Sequence, residues 1–162
     1  MPCPAVPVIP TPTIDDHLHK GCIFWFDVTG NSDPAISSKK ARPYIIISKF
    51  KARASRIIVS PITDREHCVE KDTDKLKYPY NAPLNKRNYN FLDKDSVILL
   101  DQAYTLDKSE LCEEWYMGKV DNLSEVDKAI MYNYDLFKSI EEAFAELVKE
   151  YSQKHVAQYS RK

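Results

Sequence analysis

The 162-residue chain has no excess of charge of either sign; its formal net charge is -1. Overall charge therefore points to no partner. No apolar stretch is long enough to span a bilayer, so no membrane association is expected. The four cysteines (Cys3, Cys22, Cys68 and Cys112) lie far apart and include no CxxC pair. The N-terminus shows neither a basic leader nor an apolar segment behind it. Reduced thiols and a cytoplasmic location are the expectation. No internal repeat divides the chain, and its length suits one domain with a proper core. With 43% apolar and 29% charged residues, the composition is that of a soluble globular protein.

What is present is unevenly spread. From Pro34 to Thr63 there is no Asp or Glu but there are seven cations: Lys39, Lys40, Arg42, Lys49, Lys51, Arg53 and Arg56. From Asp101 to Tyr151 thirteen acidic residues stand against five lysines. A basic half of this kind can bind nucleic acid or an acidic peptide, and solvated charge gives the same composition. The sharpest case is KKARPYIIIS, residues 39–48, where three cations precede a run of isoleucines. Lysine there either keeps a strand mouth soluble or meets an incoming anion.

Residues 1–13 hold five prolines and no charge, which disfavours helix and central strand. With DDHLHK behind them, they predict a flexible tail over residues 1–20. Asp15, Asp16, His17 and His19 could be metal ligands, but no matching cluster appears elsewhere, so a solvated lead-in and no metal are expected. Strands are predicted at 21–28, 42–48, 56–63, 80–84 (an edge strand), 95–102 and 113–120. AYTLD (103–107) either continues the fifth or pairs with it. Long loops are predicted at 29–41 and 64–79, and a short basic link at 49–55.

Asn122 followed by Glu125 resembles a capping box. Val126, Ile130, Tyr134, Phe137, Ile140, Phe144, Leu147 and Tyr151 then recur at three- and four-residue steps, predicting one helix from about 123 to 152. Residues 153–162 form a basic tail expected to fray. The fold class is mainly β with α: a small barrel with a long C-terminal helix packed across it. One domain is expected over 21–152.

GCIFWFDV, KKARPYIIIS, RIIVSPIT and FLDKDSVILLDQAYTLDKSEL together resemble the MazF/PemK family of toxin endoribonucleases, from about Gly21 to Phe144. The last block is the most specific. The resemblance implies an SH3-like barrel and a homodimer. It also implies metal-independent cleavage of single-stranded RNA (mRNA) without a cofactor, and a cognate antitoxin whose acidic, apolar segment lies in the RNA groove. The family's catalytic arginine, in an Arg-Pro pair, falls on Arg42, and its threonine on Thr63. Asp101-Gln102 matches a family pair read as structural. The sequence departs from the family at Cys22, where an acidic residue is usual. It departs again in the loop SDPAISSKKA, which replaces a Gly-Ser-Glu-Gln phrase; Ser37 or Ser38 is expected to substitute there.

Chemistry supports the pair independently. RNA is cut when its 2′-hydroxyl attacks the adjacent phosphorus, which requires positioning, proton transfer and stabilisation of a dianionic phosphorane. Guanidinium is a planar, permanently charged fork that suits phosphate. Threonine can donate to a phosphoryl oxygen. Arginine is a poor base, so Arg42 is assigned to charge stabilisation and the base is left open. His67 has suitable chemistry, but a solvated loop histidine is the plainer reading. Contacts to RNA are expected from Ser37, Ser38, Lys39, Lys40, Lys49, Lys51 and Arg53. Trp25, Phe26 or Tyr44 could stack on bases, with at least two of them buried instead. The rival readings are a CcdB-like gyrase poison, and a catalytically silent RNA- or peptide-binding barrel.

Overall fold

The computed structural model describes residues 14–27 and 41–159. The Pro-rich start and all of the first long loop but Ala41 lie outside this range. So do Ser37, Ser38, Lys39 and Lys40.

Among the described residues seven strands form: β1 Cys22–Phe26, β2 Arg42–Ile46, β3 Arg56–Asp64, β4 Asn81–Leu84, β5 Ser96–Leu99, β6 Tyr104–Asp107 and β7 Tyr116–Lys119. Their order is β4-β5-β3-β2-β1-β7, with β6 added on β3. Every pairing is antiparallel. The nine-residue β3 organises the sheet. One of its edges pairs with β2. Its other edge pairs with β6 over Arg56–Val59 and then with β5 over Ile62–Asp64. Sharing one edge between two strands curls the sheet into a half-barrel.

The isoleucine run of β2 is explained by burial on both faces, which removes the polar alternation of a half-wet strand. Tyr44 and Ile46 pack with Phe24, Ile57, Val59 and Leu106 on one side. Ile45 packs with Ile23, Ile62, Ile98 and Leu100 on the other. AYTLD neither continues nor pairs with β5. It crosses to β3, with Arg56 opposite Asp107 and Val59 opposite Tyr104. The edge position expected for β4 is where the chain puts it.

DDHLHK is anchored rather than wholly solvated: Asp15, Asp16 and His19 are exposed, but Leu18 is buried. Ile14–His17 is a 3-10 turn, and Leu18 behind it is buried in the Phe24 cluster. The His17 ring stacks on Tyr116 at 3.8 Å and its Nδ1 pairs with Glu113. Gly21 then turns the chain into β1 at φ +95°. Its N–H donates to Ile46 O (2.8 Å), and its carbonyl accepts from Val120 N–H (2.9 Å). A Cβ there would stand 2.5 Å from the Val120 oxygen. Gly21→Ala combines this backbone clash with a left-handed φ, so a loss of about 1–3 kcal/mol is expected. Thermal unfolding checks this; an unchanged Tm would show that the turn relaxes freely.

The helical region is two helices, α1 Ser124–Asn133 and α2 Phe137–Tyr159. Between them Asp135 adopts φ +53°, a conformation that Asp tolerates better than most residues. The Leu136 N–H returns to Met131 O (2.9 Å). The apolar spacing runs through this break unchanged, so periodicity could not reveal it. Asn122 does accept from the Ser124 N–H (3.1 Å), but Glu125 pairs with Lys128 and does not close a capping box. It is α1 that packs on the sheet, against β4, burying Val126 and Ala129. The long helix α2 continues to Tyr159 and leaves Phe137, Ile140, Phe144 and Leu147 exposed.

Candidate active site

Arg42 and Thr63 come together because β2 and β3 are antiparallel neighbours. Tyr44 pairs with Pro61, and that register continued by two residues brings position 42 level with position 63. Pro43 restricts Arg42 to an extended backbone, and Arg42 stands opposite Phe26 on β1. Thr63 is half-buried and pairs with Val97 on β5. Both side chains line one cleft of about 360 Å³, with Trp25, Asp64, His67 and Lys94 also on its walls.

Two cations and an ion pair set the electrostatics. Lys94 Nζ sits on Asp64 Oδ2. Hydrogen bonding to that carboxylate raises the Lys94 pKa, so it stays an ammonium. Asp95 holds the turn that carries Lys94. Its Oδ1 accepts from Lys86 N–H (2.8 Å), and its carbonyl accepts from Arg65 N–H (3.1 Å). Ser96, also on the cleft wall, donates to the Lys94 carbonyl (3.0 Å). Below Arg42, burial pushes the Tyr44 phenol up, and the Arg42 charge pulls it the other way.

Among the three aromatics, Phe26 and Tyr44 are buried at 8% and 5% relative exposure, while Trp25 is 44% exposed beside Arg42. The indole face is the one available for stacking. Lys49, Lys51 and Arg53 follow the opposite end of β2 and do not line this cleft. There the Lys51 carbonyl accepts from Lys108 (2.8 Å). Asp101 and Gln102 are exposed in the turn after β5, outside the cleft.

Lys94 and Asp64 were not singled out from the sequence. The available signal was their position: Asp64 follows Thr63, and Lys94 opens the KDSVILLDQ phrase. Asp64, Glu66 and His67 are the one gathering of three metal-type ligand groups among the described residues, with one atom of each within 4.8 Å of the others. Lys94 already occupies Asp64, so the group is an ion-pair network. Cys22 and Cys68 are free and buried, and burial raises both thiols, as in unreactive structural cysteines.

Arg42, Lys94 and Thr63 line one open cleft of the half-barrel, and groups of these kinds have the chemistry to bind a phosphodiester. The chain belongs to the family of PemK-like, MazF-like toxins of type II toxin–antitoxin systems, which it matches over residues 19–133. It is 36% identical over 105 residues to the endoribonuclease MazF of Staphylococcus epidermidis, covering 60% of this chain and 81% of that protein. An endoribonuclease in complex with its cognate antitoxin from a mycobacterial species shares the fold at TM-score 0.50 and 16% identity. That match covers 73% of this chain and 95% of the other. The family match stops at Asn133, so α2 lies beyond it.

Proposed function

We propose that this chain is the toxin of a toxin–antitoxin pair and cleaves single-stranded RNA by 2′-hydroxyl attack. The products are 2′,3′-cyclic phosphate and 5′-hydroxyl ends. The observation that carries the reading is the placement of Arg42 and Thr63 on one cleft, with Lys94 as a second cation. The bound phosphate gains charge as the phosphorane forms, and donors already aimed at it stabilise that state more than the ground state. Arg42 supplies the fork, Thr63 a single hydroxyl donor, and Lys94 a point charge held by Asp64. Trp25 offers a face for a neighbouring base. The positive charge comes from side chains, so cleavage is expected without a metal ion.

The same cations suit an acidic antitoxin segment, which would compete with RNA for the cleft. The mycobacterial neighbour is itself a complex with an antitoxin. A homodimer in the cytoplasm is the working state. The exposed apolar row on α2 supports self-association, and light scattering is expected to give twice the 18.7 kDa chain mass.

The deciding experiment is incubation of the purified protein with a long RNA in EDTA, with mapping of the ends. Discrete cuts bearing cyclic phosphates support the reading. Intact RNA with inhibited DNA supercoiling would replace it with a gyrase poison. RNA binding with neither effect would leave a silent binding barrel.

A further inference from the structure

We propose that His67 is the general base that takes the proton from the attacking 2′-hydroxyl. This rests on reading the cleft as an endoribonuclease site and names the group that reading leaves open.

The first support is position. His67 shares the cleft wall with Arg42 and Thr63, because the 3-10 turn Arg65–His67 begins directly after β3. The second is a fixed backbone under a free ring. Cys68 N–H donates to Arg65 O (2.9 Å), and Lys77 N–H donates to Cys68 O (2.8 Å). The Lys77 ammonium donates to the His67 carbonyl (3.2 Å). Arg65 is tied to the Asp74 carboxylate (3.1 Å) and carbonyl (3.0 Å). The imidazole itself is 67% exposed, so a substrate can reach it.

Charged groups face the ring from several elements. Glu66 Oε1 lies 3.6 Å from His67 Nε2, too far for a hydrogen bond. Asp64 on β3 approaches within 4.8 Å, its charge shared with Lys94. Arg42 on β2 is the opposing cation of the cleft. The alternatives are poorer bases. Guanidinium does not deprotonate, a threonine hydroxyl is not basic near neutrality, and Lys94 is held as an ammonium by Asp64. Asp93, also on the wall, is a carboxylate, intrinsically weaker as a base than imidazole.

The step balances without a further reactant. The O2′–H bond breaks and its proton goes to the imidazole. O2′ bonds to phosphorus, the P–O5′ bond breaks, and the 5′-oxygen takes a proton from water. Imidazolium then returns its proton to solvent.

The test is single-turnover cleavage of one short RNA by the full-length protein, its His67→Gln variant and its His67→Ala variant, across the range between about pH 5 and 8 where imidazoles titrate. Wild-type rate is expected to rise with pH and level off, since the base must be unprotonated. His67→Gln should lose on the order of 10²–10⁴-fold and lose that rise. Affinity for an RNA with deoxyribose at the cleavage position should be unchanged. Added imidazole should restore rate to His67→Ala. A cleaving wild type matched in rate and pH profile by His67→Gln overturns the assignment alone. So does a slower variant that keeps the wild-type profile. A wild type that cleaves no RNA overturns the endoribonuclease reading, and this base with it.

Discussion

Arg42→Ala is expected to cut RNA about 10³-fold more slowly or worse, as for loss of a guanidinium that stabilises a transferring phosphoryl group. That is roughly 4 kcal/mol of transition-state stabilisation. The fold should be untouched. Arg42 is exposed, and its structural role is the backbone pairing with Phe26, which alanine can also make. Thermal unfolding should therefore match wild type while single-turnover cleavage collapses. Arg42→Lys tests whether charge alone suffices. A lysine there would be a point charge beside one the cleft already has in Lys94, and it would lack the planar fork. Little activity should return. Near-normal cleavage by a folded Arg42→Ala protein would remove the residue from the mechanism and leave Lys94 as the principal cation.

The strands were legible because their apolar runs are continuous. RPYIIIS and RIIVSPIT could hardly be anything but strands, although the first half of RIIVSPIT alternates, with Arg56 and Ile58 exposed and Ile57 and Val59 buried. Connectivity was less legible. AYTLD pairs with β3 and not with its sequence neighbour β5, and no local signal distinguishes the two. The break between α1 and α2 was hidden because Tyr134 sits at the right helical step while Asp135 turns the backbone. Leu18 shows the same limit: one apolar residue within DDHLHK anchors the segment in the core, and charge counting overlooks it.

In the site, Arg42 and Thr63 stood out through the family phrases that contain them. Asp64 and His67 follow Thr63 closely in the chain, and it is Lys94 that joins the cleft through folding. Asp64 and Lys94 are thirty residues apart and meet because the β4–β5 connection returns over the end of β3. The described part of the basic run is split along the fold. Arg42 opens β2 at the cleft, whereas Lys49, Lys51 and Arg53 follow its far end. A composition window merges them; a strand separates its ends by about 3.3 Å per residue.

An RNA carrying deoxyribose only at the cleavage position is expected to bind this protein and not be cut. Removing the 2′-oxygen deletes the nucleophile itself, and so should cost more than any side-chain substitution. Binding should survive, because the phosphate contacts proposed for Arg42 and Lys94 and the stacking proposed for Trp25 do not involve that hydroxyl. The substituted strand should therefore compete with unmodified RNA, and equally with an acidic antitoxin segment if both use the Arg42 cleft. Competition measured by fluorescence anisotropy, alongside a cleavage assay on the same oligonucleotide, separates the two properties. Cleavage of the deoxy strand would mean that water is the nucleophile. No 2′,3′-cyclic phosphate would then form at the new 3′ end, and the assignment of His67 as the base for the 2′-hydroxyl would fall with the mechanism. Loss of binding instead would mean that the hydroxyl is itself a recognition contact. The cleft would then be reading the sugar before it acts on it.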